Sequence, residues 1–181
     1  IKNYPARVVM STLAVIILII LFSDQTASGL LKPIVGRMRP SNPDNPISPM
    51  VHTVQGYRGG RYGFPSSHAA NAWSMAFFAR YLLRRNKLTV FLCIWALITS
   101  YSRMYLGVHY FGDILAGTLI GFLYATLYYY IFQHILRKHA ERFKPHYDIR
   151  FARVPIITGL VSIWVIICTS EILSYYDITL R

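Results

Sequence analysis

Apolar residues gather into five stretches, Val8 to Phe22, Ala69 to Leu83, Leu88 to Tyr101, Ile114 to Phe132 and Ile156 to Leu173, separated by polar segments in which Lys and Arg recur. None alternates as a half-buried strand does, and each is compatible with a helix. Some fall short of the roughly 20 residues that cross a hydrocarbon core, but continuation into flanking polar residues, with Tyr or Trp at the interface, extends their reach. The pattern predicts an all-α fold: a polytopic transmembrane helix bundle with five spans, making one membrane-embedded domain over residues 1–181. The chain starts at Ile1 and lacks the basic region, short apolar core and cleavage site of a signal peptide. One or more N-terminal spans are therefore expected to be missing from it.

One interruption is long. Residues 41–64 carry Pro43, Pro46 and Pro49, then Gly56, Gly59, Gly60 and Gly63. A loop of this length is uncommon unless it is functional or disordered. It is expected to lie outside the membrane near the candidate site, covering a headgroup or forming a mobile rim.

Composition agrees with the bilayer as solvent. With 54% hydrophobic residues, 15% aromatics and a mean hydropathy of +0.37, the chain is too apolar for an ordinary soluble domain. A net charge of +12 raises nucleic acid as a partner, but the basic residues sit in short loops between apolar runs and form no basic face, so none is expected. Topology explains them better. Threading the chain through five spans puts Lys2, Arg7, Arg80, Arg84, Arg85, Lys87, Arg137, Lys138, Arg142, Lys144, Arg150 and Arg153 on one side; Lys32, Arg37, Arg39, Arg58, Arg61, Arg103 and Arg181 fall on the other. The richer side is cytoplasmic by the positive-inside rule. Cys93 and Cys168 then lie near opposite faces, too far apart for a disulfide.

Three polar clusters share the external face: Lys32 with Arg39-Pro40; Pro65-Ser66-Ser67-His68; and Ser102-Arg103, Gly107, His109 and Asp113. A phosphate ester needs its anionic oxygens neutralised while a nucleophile attacks phosphorus in line with the leaving oxygen. Lys32, Arg39 and Arg103 supply the cations, and Ser66 and Ser67, ahead of a helical run, supply hydroxyls and backbone N–H groups. If His109 begins a helical turn, Asp113 lies on the same face and holds one ring nitrogen, freeing the other to attack. His68 is the candidate acid and base, protonating the leaving group and then activating water to hydrolyse a phosphohistidine. Beyond Asp113 the acids are few, namely Asp24, Asp44, Glu141, Asp148, Glu171 and Asp177. A two-metal phosphatase needs a carboxylate-rich cluster, so neither metal nor other cofactor is expected. Lipid-soluble helices around such a site imply a membrane lipid phosphate as substrate.

In these residues the chain resembles the type 2 phosphatidic acid phosphatase superfamily. That signature is a lysine, six residues and Arg-Pro; then Pro-Ser-Gly-His; then Ser-Arg, three residues, Gly, one residue, His, three residues and Asp. The match runs from about Asp24 to Gly117, and Ser67 stands where the family usually has glycine. The resemblance implies a metal-independent membrane phosphatase, usually of six helices. It assigns His109 as nucleophile, His68 as acid and base, Asp113 as orienting partner, and Lys32, Arg39, Ser66 and Arg103 as phosphate ligands. The substrates it suggests are undecaprenyl diphosphate, a lipid A phosphate, phosphatidylglycerol phosphate and phosphatidic acid. In a bacterial inner membrane, an external site puts the first two ahead. Oligomeric state is left open.

Blander readings attach to each feature singly. Lys32 and Arg39 alone are interfacial anchors, His68 a helix cap, and His109 with Asp113 a structural pair. Arg37, Arg58 and Arg61 are possible headgroup contacts or solvated loop charges. Asp24, near a span end, is read as hydrogen-bonded to Ser23, Gln25 or a neighbouring helix, and Tyr128 to Tyr130 as an interfacial belt. His134, His139 and His146 lack the spacing of a metal site. Two alternatives stand beside the phosphatase. A vanadium haloperoxidase shares the same anion-binding residues but is soluble, and a non-catalytic phospholipid-binding or transporting protein needs a polar path that these spans lack.

Overall fold

The computed structural model describes residues 6–138, and among them there is no strand. The fifth apolar stretch, Ile156 to Leu173, lies outside the described residues, as do His139, His146 and Cys168. Helix α1 (Ala6–Asp24) runs without a break through a π-helical segment (Gln25–Leu31) into α2 (Lys32–Val35), and Gly36 ends it at φ +61°, a left-handed conformation that costs glycine little. Helices α3 (Ser67–Leu83), α4 (Asn86–Tyr105) and α5 (Phe111–Lys138) follow.

Among the described residues, three helices are long and apolar enough to cross a membrane: Val9–Val35, Asn86–Tyr105 and Phe111–Ile135. The first extends well past its expected end at Phe22. Beyond that end Thr26 finds a partner inside the bundle, its Oγ1 meeting the Tyr124 hydroxyl at 2.7 Å, so a polar residue there does not force the helix to stop. Helix α3 falls short of such a span at 17 residues. It packs against α1, α4 and α5 and is built of small residues, with Ala69, Ala70, Ala72, Ser74 and Ala76 buried. A helix enclosed by others needs no lipid-soluble surface.

The contact between α3 and α5 depends on two glycines one helical turn apart. A Cβ on Gly121 would lie 2.5 Å from the Ala70 carbonyl, and one on Gly117 would collide with the carbonyl of Ser66. Small residues at this spacing let helix backbones approach closely. Gly117→Ala is expected to push the start of α3 away from α5 and lower turnover about 100-fold, the scale of a roughly 1 Å misplacement. Gly117→Ser should do no better. Activity assays on detergent-extracted variants check this, and wild-type rates in both would contradict it.

Val15, Ile19, Phe78, Ala125 and Phe132 form the core. Tyr128 and Tyr129 pack against it, while Tyr130 is exposed. Polar pairs join the helices as well: Trp73 Nε1 donates to Ser100 Oγ at 3.2 Å, and the Tyr81 hydroxyl meets Thr126 Oγ1 at 3.2 Å. On the outside, Met10, Ile17, Leu97, Ile98, Leu119 and Leu123 are exposed, as lipid-facing residues should be and as a water-facing surface would not tolerate.

Residues 41–64 fold back on themselves through side-chain bonds. Asn42 Nδ2 donates to the Arg61 carbonyl (3.2 Å), and Arg58 donates to the Ser41 carbonyl and to Ser48 Oγ (both 2.8 Å). The Ser41 N–H donates to the Gly107 carbonyl at 3.0 Å, so the loop is anchored to the turn between α4 and α5.

Candidate active site

Alternating helix direction brings the end of α2, the start of α3, the end of α4 and the start of α5 to one end of the bundle. The three sequence clusters meet there. Lys32 Nζ lies 3.2 Å from Ser28 Oγ and 3.5 Å from Ser67 Oγ, and the Ser66 N–H donates to the Asp113 carbonyl at 2.9 Å. His68 is close enough to feel the charges of Arg103, His109, Lys32 and Arg39; Arg39 in turn feels Asp113 and Arg103.

His109 and Asp113 owe their pairing to the way α5 begins. His109 lies two residues ahead of the helix, yet its Nδ1 is 3.3 Å from Asp113 Oδ2. The same oxygen accepts from the Tyr110 N–H at 2.9 Å, while the Asp113 N–H donates back to the Tyr110 carbonyl at 3.0 Å. An acid at the third helical position thus caps its own helix, which fixes the carboxylate and brings the imidazole within reach. Both side chains are buried. Burial, which disfavours the charged ring, is the largest influence on His109 and lowers its pKa below the ordinary imidazole value; the hydrogen bond to Asp113 opposes this, and Arg39 adds to it. His68 is the more open ring, and desolvation followed by the charge of Arg103 lowers its pKa too.

Ser66, the phosphate ligand expected from the motif, lies at the start of α3. It is fully buried, and its hydroxyl accepts from the Ala69 N–H at 3.4 Å as the N-cap of α3. Arg39 is braced from behind: its Nε donates to the Tyr62 carbonyl at 3.1 Å, and its guanidinium lies against Gly59. A Cβ at Gly59, whose φ is +67°, would come within 2.7 Å of Arg39 Nη1.

The three headgroup candidates separate. Arg37 Nη1 donates to Asp113 Oδ1 at 3.2 Å, and its guanidinium stacks 4.2 Å from the centroid of the Tyr110 ring. Arg58 staples the loop. Arg61 is exposed and lies over the Tyr62 ring. Arg37 is the residue that motif spacing missed. Its signal was its position two before Arg39 in an extended segment, where Met38 bridges to Tyr62, since residues two apart share a side. Among the described residues no three His, Cys, Asp or Glu side chains come together as a metal site.

Comparison with known proteins extends the same reading. The model of the PAP2 superfamily matches residues 12–137, which include all three clusters. The chain is 41% identical over 177 residues to a lipid A 4'-phosphatase of Bacteroides thetaiotaomicron, covering 96% of this chain and 78% of that protein. It is 36% identical over 130 residues to a lipid A 4'-phosphatase of Porphyromonas gingivalis, covering 71% of this chain and 54% of that one. Against phosphatidylglycerophosphatase B of Bacillus subtilis it is 29% identical over 117 residues, covering 60% and 52%. No solved structure matches the chain. Apolar helices, a cationic end where three motif clusters meet, and a family match across most of the chain lead to one conclusion: the chain belongs to the PAP2 superfamily and is an integral membrane lipid phosphatase.

Proposed function

We propose that this chain hydrolyses a phosphate monoester of lipid A at the external face of a bacterial inner membrane, through a phosphohistidine on His109. The observation that carries the chemistry is the buried His109–Asp113 pair among the charges of Lys32, Arg39 and Arg103. The substrate is supported by the names of the two relatives with the highest identities given above, which favour lipid A over undecaprenyl diphosphate. Orientation is supported by Arg80, Arg84, Arg85 and Lys87, which lie around the α3–α4 turn at the end of the bundle away from the clusters.

In the first step His109 Nδ1–H stays on Asp113 and the Nε2 lone pair attacks phosphorus. The bond from phosphorus to the sugar oxygen breaks, and that oxygen takes a proton from His68. Lys32, Arg39 and Arg103 hold the non-bridging oxygens, assisted by the start of α3, which Ser66 caps and Ser67 opens. In the second step neutral His68 takes a proton from water, the hydroxide oxygen attacks phosphorus, and the N–P bond breaks to release inorganic phosphate and restore the imidazole. The depressed pKa of His109 keeps its ring neutral and nucleophilic near neutral pH.

Phosphate release in chelator from purified lipid A, undecaprenyl diphosphate, phosphatidylglycerol phosphate and phosphatidic acid tests the assignment. The highest kcat/KM is expected on lipid A, with mass spectrometry showing loss of the 4'-phosphate. A preference for another lipid, or full dependence on a divalent ion, would contradict it.

A further inference from the structure

We propose that Arg37 is a positioning residue that acts through Asp113, clamping the carboxylate so that one oxygen stays on the imidazole of His109. This rests on the reading of His109 as nucleophile. A carboxylate has two oxygens to satisfy, and Asp113 is fully buried. Its Oδ2 takes the Tyr110 N–H and His109 Nδ1; the Arg37 guanidinium, at 3.2 Å, occupies Oδ1. Without that donor a buried anionic oxygen would lose its partner, which is strongly unfavourable. The carboxylate would rotate or take up a proton, and either change loosens its hold on the ring.

The clamp is itself held in place. The Arg37 guanidinium lies on the face of Tyr110, and the Tyr110 hydroxyl accepts from Asn45 Nδ2 at 2.9 Å. The same amide group donates to the Arg39 carbonyl at 2.9 Å, and the Gly63 N–H donates to the Arg37 carbonyl at 2.8 Å. The loop therefore fixes the backbone that carries Arg37 and Arg39 together with the ring behind Arg37. A planar guanidinium suits this stacked, directed contact in a way that an ammonium does not.

Kinetics of Arg37→Met, Arg37→Lys, Asp113→Asn and the double variant Arg37→Met/Asp113→Asn on lipid A test this, with detergent elution profiles confirming folded protein. Arg37→Met is expected to lower kcat about 100-fold while KM changes less than about threefold, with Arg37→Lys in between. In the Asp113→Asn background the further loss from Arg37→Met should be below about threefold, because both act on one device. A raised KM with kcat preserved would make Arg37 a headgroup contact and overturn the inference. Losses that multiply in the double variant would make its role independent of Asp113 and overturn it as well. Wild-type turnover in Asp113→Asn would instead remove the nucleophile reading, and this inference with it.

Discussion

His109→Ala is expected to lower turnover of the lipid phosphate by at least about 10⁴-fold while leaving the helix bundle intact, because it removes the attacking atom and leaves only binding and electrostatic stabilisation. The ring contributes little to packing, since it lies at the bundle end, away from the core of Val15, Ile19, Phe78, Ala125 and Phe132. Steady-state phosphate release on protein extracted and purified in parallel with the wild type checks this. His109→Gln should be equally inactive, as an amide can accept and donate hydrogen bonds but does not attack phosphorus. Retained hydrolysis in either variant would move the nucleophile elsewhere.

His68→Ala should cost about 10²–10⁴-fold on the lipid ester, the usual contribution of general acid–base catalysis, but its effect should depend on the leaving group. With an aryl phosphate the departing phenolate needs no proton, so the first step should survive and the second should stall. The expected signature is a burst of one equivalent of phenolate followed by negligible turnover. The pH dependence follows from the same role. In the free enzyme desolvation and the charges of Arg103, His109, Lys32 and Arg39 lower the pKa of His68, so the protonated acid is lost on raising pH below the ordinary imidazole value of about 6.5. The basic limb of kcat/KM should therefore lie below that value. Bound phosphate brings negative charge beside the ring and raises its pKa, so the basic limb of kcat should lie at higher pH. Coincident limbs would contradict the assignment of His68 as the acid.

Much of this architecture is legible in the chain, for identifiable reasons. Apolar stretches separated by polar segments rich in Lys and Arg define the helices, because the bilayer leaves few other solutions for the backbone. The i, i+4 spacing of His109 and Asp113 places them together even though α5 starts only at Phe111, since the capping bond from the Tyr110 N–H supplies the turn that the helix does not. What escapes the sequence depends on tertiary partners. Nothing local announces that the helix continues past Asp24, because Tyr124, which receives Thr26, is about 100 residues away. Ser66 reads as a ligand from its motif, and its burial as a cap becomes visible only when α5 packs against the start of α3. The division of labour among Arg37, Arg58 and Arg61 is equally hidden, because three arginines in one polar segment look alike until Asp113, Ser48 and Tyr62 are placed beside them.

The departure at Ser67 also finds a place in the fold. Ser67 is the first residue of α3 and is buried, with its hydroxyl 3.5 Å from Lys32 Nζ. Its helical backbone does not require glycine, and the added hydroxyl gives the lysine a partner at the mouth of the site.

The central claim is that phosphate passes through a covalent bond to one imidazole, and it can be tested by trapping that bond. His68→Ala protein incubated with an aryl phosphate labelled at phosphorus, quenched in base and digested, should carry the label on the peptide containing His109, and His68→Ala/His109→Ala protein should carry none. Label on another residue, or its absence despite a full burst of phenolate, would contradict the account.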